Sequence, residues 1–408
     1  MSVRLENPSM ISEAPAMATP VRGSSDARAR LESLLNESAS RKASDLLLVA
    51  EAAPTAYVNG EWVELSKKPL LDAEIIAIIE PWISNEQGRR LTEVRDLDLG
   101  ITVPHLGRFR MNVHYQRGTM AVAIRAIPEN VPSFGSLGLP AQVISFSDYP
   151  NGLVLVTGGT GQGKSTTLAA LVDHMNRGRR RHVITIEDPI EFAFRKGTCL
   201  IEQRQIGDDA PSFPSALRHV LRQRPDVILI GEMRDLETIG SALTAAETGH
   251  LVLGTLHTCS ASQTIARIID VFPSAQQTQV RSQLAGSLRA ILCQSLLRDE
   301  LNDSLLAATE LMIATAAVRR AIRENEAHLI YSMIETGRTL GMHTLEQSLK
   351  ALVDEGRIEV DAAVSAAADP IRMQAILGTS GRALSRPEQA AAVPSEKSVV
   401  WSQESLDR

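Results

Sequence analysis

The stretch LVLVTGGTGQGKSTTLAAL, residues 153–171, decides the fold class of this chain. An apolar, β-rich run at 153–157 leads into a glycine loop at 158–165, and a helix-forming segment follows at once. The loop matches the pattern G-x-x-x-x-G-K-[ST], in which backbone N–H groups and a helix N-terminus surround a phosphate. Glycines are needed because a side chain would fill the space of the phosphate oxygens. The pattern predicts that Lys164 reaches the β- and γ-phosphates of a nucleotide and that the Ser165 hydroxyl binds Mg²⁺.

Apolar runs after residue 152 predict the strands of a parallel sheet, and helical segments lie between them. The runs are 153–157, 183–187, 227–230 and 251–255. Runs that are apolar on both faces are typical of strands covered by helices on each side. The alternation of strand and helix predicts an α/β nucleotide-binding domain, which we place at 151–370.

Acidic residues follow two of these strands, at the edge where ligands bind in open α/β sheets. The strand at 183–186 ends in Glu187-Asp188-Pro189-Ile190-Glu191, and the strand at 227–230 ends in Gly231-Glu232. We expect Glu232 to lie in the Mg²⁺ shell or to orient water. His257 follows the strand at 251–255 on the same edge, where it can sense a γ-phosphate, whereas His250 precedes that strand.

The residues before the phosphate loop predict a smaller α+β domain at 29–133 and a linker rich in proline and glycine at 134–150. Turn signals such as Asn59-Gly60 separate the expected strands of an antiparallel sheet. A helical stretch at 31–35 precedes the strand candidates 45–49, 56–58, 101–103, 108–114 and 120–127. The tails, 1–28 and 371–408, lack apolar periodicity and are predicted to be disordered.

Composition limits the function classes that are open to the chain. Its 408 residues carry a formal net charge of −6, which gives no basic field for a nucleic-acid coat protein. The three cysteines form no CxxC pair, so a four-cysteine zinc site is excluded. No apolar run reaches the roughly 20 residues of a transmembrane helix, and the first residues do not form a signal peptide. We expect a cytoplasmic protein with no zinc and no nucleic-acid partner.

Several strings of the sequence together resemble a known family: GGTGQGKSTTLAALVD, ITIEDPIEF, DVILIGEMRDLETI, ALTAAETGHLVLGTLHT and RIIDVFP. They are similar to the ATPases of type II secretion systems and type IV pili, and within these to the retraction ATPases of the PilT type. The resemblance implies a RecA-like P-loop NTPase domain preceded by a PAS-like N-terminal domain. It also implies a homo-hexamer in which ATP hydrolysis moves the domains against each other.

The resemblance implies roles for individual residues as well. Glu191 matches the general base, Glu232 the magnesium-associated glutamate, and His250 and His257 the histidine box. Residues that match the family's phosphate loop are Thr160, Gly161, Gln162, Gly163, Lys164, Ser165 and Thr166. Arg108, Arg110 and Arg125 match N-terminal arginines that reach ATP in relatives, where such a group contributes about 10³–10⁵ in rate. On spacing alone, Arg108 and Arg110 share one strand face, which a solvated surface would also explain.

The resemblance favours retraction over pilus assembly, since assembly ATPases commonly carry a tetracysteine zinc module that this chain cannot build. The segment AVRRAIRE at 317–324 is similar to the AIRNLIRE helix of retraction ATPases. The resemblance implies an inner-membrane platform protein of the pilus as partner, and a location at the inner face of the cytoplasmic membrane. Departures at Gly159, Gln162 and within 317–324 leave a PilU-like accessory motor, or another secretion-type ATPase, as alternatives.

Two further alternatives follow from the residues. A DNA-translocating RecA-like motor would use the basic run Arg177-Gly178-Arg179-Arg180-Arg181-His182. A nucleotide-gated scaffold would bind ATP through the same loop without turning it over.

Overall fold

The computed structural model describes residues 25–378, apart from residues 59, 60, 129 and 303. The chain divides into two compact units: the first combines the residues before 133 with 172–232, and the second combines 133–171 with the residues from 233 onward. Residues 172–232, which the sequence assigns to the ATPase domain, group with the N-terminal residues.

The N-terminal part of the first unit is an α+β arrangement. Its strands form a six-stranded antiparallel sheet in the order β3-β2-β1-β6-β5-β4. Its elements are α1 (Ser25–Ser40), β1 (Asp45–Val49), β2 (Thr55–Val58), β3 (Glu61–Glu64), α2 (Asp72–Ile79), α3 (Asn85–Val94), β4 (Asp96–Val103), β5 (Gly107–Gln116) and β6 (Thr119–Ile127). α1 begins at Ser25, inside the segment predicted as a tail, while residues 1–24 and the Asn59-Gly60 turn lie outside the described residues.

Side chains along strands such as β5 are alternately buried and partly exposed, so one face of the sheet packs against the core. In β5, Phe109, Met111 and Val113 are buried, while Arg108 and Arg110 lie on the opposite face. The buried side chains join a core to which α1 and α2 also contribute. Each fully buried aliphatic side chain of this kind contributes about 1.5–3 kcal/mol.

The remainder of the chain alternates strands with helices. Its elements are α4 (Ala141–Ile144), β7 (Gly152–Thr157), α5 (Lys164–Gly178), β8 (His182–Glu187), β9 (Leu200–Gln205), α6 (Phe213–Val220), β10 (Val227–Ile230), α7 (Leu236–Glu247), β11 (Leu251–Leu256), α8 (Ala261–Asp270), α9 (Ser274–Ser287), β12 (Leu288–Arg298), β13 (Leu305–Ile313), α10 (Ala316–Arg323), α11 (Ile330–Thr336), α12 (Leu345–Asp354), α13 (Val360–Ala366) and α14 (Pro370–Ile376). α14 occupies residues predicted to be tail, and residues 379–408 lie outside the described part.

The first unit contains the strands β10-β8-β9, all parallel, and the second contains the strands β13-β12-β7-β11. β7, β10 and β11 are buried along their whole length, as their apolar sequences predict. The sequence analysis missed β9, β12 and β13, and β13 runs antiparallel to β12 at the sheet edge. The α/β fold class predicted from the sequence is confirmed.

Candidate active site

The phosphate loop follows β7 directly. Gly158, Gly161 and Gly163 adopt φ angles of 144°, 78° and 76°, which residues with a Cβ rarely adopt. A Cβ at Gly161 would meet no atom within 4 Å, so this glycine is needed for its backbone angle rather than for space. α5 begins at Lys164 and brings the partial positive charge of a helix N-terminus to the end of the loop. This conformation fits the phosphates of a nucleotide.

Lys164 is 8% exposed and folds back over the loop. Its Nζ donates to the carbonyl oxygens of Gly158 at 2.8 Å and Gly159 at 2.7 Å. The ammonium group is therefore held at the mouth of the glycine loop, where an anion would be bound.

Strand β12 supports the loop from one side, and the sequence analysis did not foresee this. Gln294 Nε2 donates to the carbonyl of Gln162, and the backbone N–H of Leu296 donates to Gln162 Oε1. Thr167 Oγ1 donates to Gln294 Oε1 at 3.0 Å, which fixes the orientation of that amide. A Cβ at Gly158 would lie 2.3 Å from the Gln294 carbonyl oxygen. No motif marks Gln294, since its role comes from the pairing of β12 beside β7.

In the other unit, an acidic loop at residues 187–194 follows β8. Glu187 is half-buried, and partial burial raises the pKa of its carboxyl above the usual value, while hydrogen bonds from Thr185 Oγ1 and Gln203 Nε2 at 2.6 and 3.2 Å act in the opposite direction. The backbone N–H of Glu191 donates to Glu187 Oε2 at 3.4 Å. Glu191 itself is exposed. Glu187 therefore helps to hold the exposed Glu191.

Glu232 follows β10, whose end packs against the start of the acidic loop. The N–H of Gly231 donates to the Ile186 carbonyl at 2.8 Å. A Cβ at Gly231 would lie 3.2 Å from that oxygen and 3.3 Å from Glu187 Cα. The close approach explains why glycine suits position 231, and the half-buried Glu232 follows directly.

The N-terminal arginines contact other residues of the first unit. Arg110 and Arg125 lie opposite each other on β5 and β6, and they pair with Asp98 at 3.3 Å and Asp45 at 2.7 Å. Their side chains are 41% and 67% exposed. Exposed ion pairs contribute only about 0.2–1 kcal/mol, so these contacts do not prevent either arginine from binding a ligand. Arg108 instead donates to Gln205 Oε1 at 3.4 Å.

The two histidines lie at opposite ends of β11. His257 follows the strand and is exposed. His250 precedes it, and its Nδ1 lies 3.0 Å from the Ala245 carbonyl at the end of α7. The Gly152 N–H donates to the His250 carbonyl, so His250 lies at the start of β7, at the far end of that strand from the phosphate loop.

Among the residues that the structure describes, no group of three His, Cys, Asp or Glu side chains could by itself hold a metal ion. A P-loop does not require one, because Mg²⁺ takes nucleotide oxygens and waters besides one or two protein ligands. None of the described helices combines the length and the apolar character that a bilayer span requires.

A buried parallel strand that enters a glycine loop with its lysine, together with acids that follow further parallel strands, defines a P-loop ATPase. The family described as "Type II/IV secretion system protein" matches residues 103–377. The chain belongs to this family, which confirms the resemblance read from the sequence.

Individual relatives match most of the chain. The type IV pilus retraction ATPase PilT of Pseudomonas aeruginosa is 46% identical over 325 residues, which are 80% of this chain and 94% of that protein. The type IV pilus ATPase PilU of the same species is 35% identical over 86% of this chain and 93% of its own. A crystal structure of the retraction motor PilT with bound ADP superposes with a TM-score of 0.77 at 42% identity, covering 83% of this chain and 96% of that one.

Proposed function

We propose that this chain is the ATP-hydrolysing motor that retracts a type IV pilus. The observation that carries the proposal is the 46% identity to a pilus retraction ATPase over 94% of that protein's length. The likeness includes the N-terminal sheet as well as the phosphate loop, so it extends beyond a shared nucleotide site. The similar PilT structure holds ADP, which agrees with the loop conformation found here.

For hydrolysis, we assign the chain's residues to three tasks. Lys164 and the N-terminus of α5 neutralise charge on the terminal phosphates. Glu191 takes the proton of the attacking water, and Arg110, Arg125 and His257 act on the terminal phosphate. When bound, Mg²⁺ neutralises phosphate charge, and Ser165 and Glu232 are the residues that would hold it.

The assembly and its surroundings belong to the same proposal. We infer a homo-hexamer that acts on an inner-membrane platform protein of the pilus and lies at the inner face of the cytoplasmic membrane. Retraction couples hydrolysis to movement between parts of each chain, so the N-terminal sheet has a mechanical role as well as a structural one.

A deletion strain tests the direction of the motor. We expect the strain to carry extra pili and to lose twitching motility, and we expect the wild-type gene, but not a Lys164→Ala gene, to restore motility. Loss of pili would instead identify an assembly motor.

A PilU-like accessory ATPase is the second candidate, favoured by the 35% identity to PilU over 93% of that protein. An accessory motor would leave retraction to another ATPase. The deletion strain would then keep its normal number of pili and show reduced rather than abolished motility.

A further inference from the structure

Gln205, the last residue of β9, lies between the acidic loop and the N-terminal sheet. It is 4% exposed, and its side chain makes hydrogen bonds to three different segments of the first unit. We propose that Gln205 is a positioning residue that holds Glu191 for catalysis and links it to Arg108 on β5. The proposal rests on the role assigned to Glu191 above.

The orientation of the Gln205 amide follows from its neighbours. Asp208 Oδ2 lies 2.7 Å from Gln205 Nε2, and an ionised carboxylate only accepts hydrogen bonds. The NH₂ group must therefore face Asp208, and Oε1 must face the donors on the other side. Those donors are the Ile190 N–H and Arg108 Nη2, each at 3.4 Å.

The hydrogen bond from the Ile190 N–H to Gln205 Oε1 supports the acidic loop next to Glu191. Ile190 directly precedes Glu191, so Gln205 Oε1 holds the backbone at that point. Gln203, two residues earlier on the same face of β9, supports the rest of the loop. Its Nε2 donates to the Phe192 carbonyl at 2.8 Å, and its Oε1 accepts from the Phe194 N–H at 3.1 Å. β9 thus supports the loop on both sides of Glu191.

The second contact joins the same amide to the N-terminal sheet. Gly100 on β4 makes room for the Arg108 side chain, since a Cβ there would lie 2.8 Å from Arg108 Nη2. The Gly100 N–H also donates to Asp208 Oδ2 at 3.3 Å. Arg108 Nε is buried and has no hydrogen-bond partner among the described residues. The hydrogen bond from Arg108 Nη2 to Gln205 Oε1 is therefore the contact that joins this side chain to β9.

A displacement of β4 and β5 would therefore act on the acidic loop through one buried amide. In this arrangement Arg108 affects hydrolysis through Gln205 and Glu191 without having to contact the nucleotide. Arg110 and Arg125, whose partners are carboxylates on the N-terminal sheet, lack this connection.

The test measures steady-state ATP hydrolysis and ADP affinity on the full-length protein. We expect Gln205→Leu to lower kcat roughly 10- to 100-fold, the effect of a misplaced catalytic group, with ADP affinity unchanged. Arg108→Leu should lower kcat about two- to tenfold, the value of one hydrogen bond. Gln283→Leu, which removes an amide that binds Glu247 on the surface, is the matched control.

The decisive measurement repeats Gln205→Leu in a Glu191→Gln background. If Gln205 acts through Glu191, the second substitution causes no further loss, whereas a general structural role would lower the residual rate again and overturn the proposal. Full activity of Gln205→Leu beside an inactive Glu191→Gln would overturn this inference alone. Full activity of Glu191→Gln would overturn the base assignment and this inference with it.

Asp208→Asn is the second variant, for use if Gln205→Leu does not fold. It keeps the size of the side chain but no longer forces the Gln205 amide into one orientation. We expect a smaller loss of kcat that also disappears in the Glu191→Gln background. A loss that persists there would contradict the link.

Discussion

The phosphate loop and the acidic loop differ in where their conformation comes from. Much of the phosphate loop's shape is local: three glycines supply the backbone angles, and Lys164 binds carbonyls five and six residues before it. The acidic loop has an internal contact too, from the Glu191 N–H to Glu187 Oε2 at 3.4 Å, but its shape depends as well on Gln203 and Gln205 of β9, nine to sixteen residues away along the chain.

This difference has a functional consequence. A loop whose backbone angles come mostly from its own glycines depends less on movement elsewhere in the protein. A loop held by side chains of another strand, one of which (Gln205) contacts Arg108 of the N-terminal sheet, can respond to movement of that sheet. We therefore expect the first loop to determine affinity and the second to determine the rate of turnover.

The largest expected effect separates nucleotide affinity from the rate of turnover. Glu191→Gln should lower kcat by about 10²–10⁴, the usual contribution of a general base, and leave ADP binding intact. Lys164→Ala should instead weaken binding, because it removes the buried charge of the phosphate loop. Calorimetric titration with ADP beside steady-state rates measures both. Equal loss of ADP binding in the two variants would contradict the proposal that the phosphate loop determines affinity and the acidic loop determines turnover.

The next effect concerns the backbone of the phosphate loop. Gly158→Ala places a Cβ 2.3 Å from the Gln294 carbonyl at a φ of 144°, so we expect a loss of roughly 1–3 kcal/mol from strain alone and much weaker nucleotide binding. Gly159→Ala should cost less, because the nearest atom to its Cβ is 3.6 Å away. Thermal unfolding compares the two, with Gly286→Ala in an open position of α9 as control.

The same contrast explains what could be read from the sequence. Contiguous patterns identified the phosphate loop and the buried strands β7, β10 and β11, because glycine spacing and apolar runs are local signals. β9 was missed because LIEQRQ has too few apolar residues to mark a strand, although its two glutamines support the acidic loop. Gln294 could not be foreseen either, since its contact to Gln162 spans 132 residues.

A pH experiment extends the comparison to carboxylates whose pKa is raised by burial. Glu187 supports the acidic loop, while Glu310 on β13 accepts from the Ala261 N–H at 2.7 Å. Burial, with the nearby Glu346, raises the pKa of Glu310 from 4.5 to about 7. Between these values the folded state binds more protons than the unfolded state, so stability falls as the pH rises, by on the order of 3 kcal/mol in total.

Glu310→Gln should remove most of that dependence. We expect its melting temperature to change little between pH 5 and 8 beyond the contribution of other groups, while the wild-type value declines up to about pH 7. Glu300→Gln, on the surface, should keep the wild-type profile. A parallel decline in the wild type and in Glu310→Gln would show that this carboxyl does not titrate as its burial implies.

The smallest effect tests how far the phosphate loop depends on β12. Gln162→Ser removes the side chain that accepts from the Leu296 N–H but keeps the backbone carbonyl that accepts from Gln294. One such hydrogen bond contributes about 0.5–1.5 kcal/mol, so KM for ATP should rise by about tenfold at most, with kcat unchanged. The glycines and Lys164 would still set the loop's shape. A collapse of binding in this variant would show that β12 holds the loop as firmly as β9 holds the acidic one, and the contrast between a self-supported and a supported loop would be wrong.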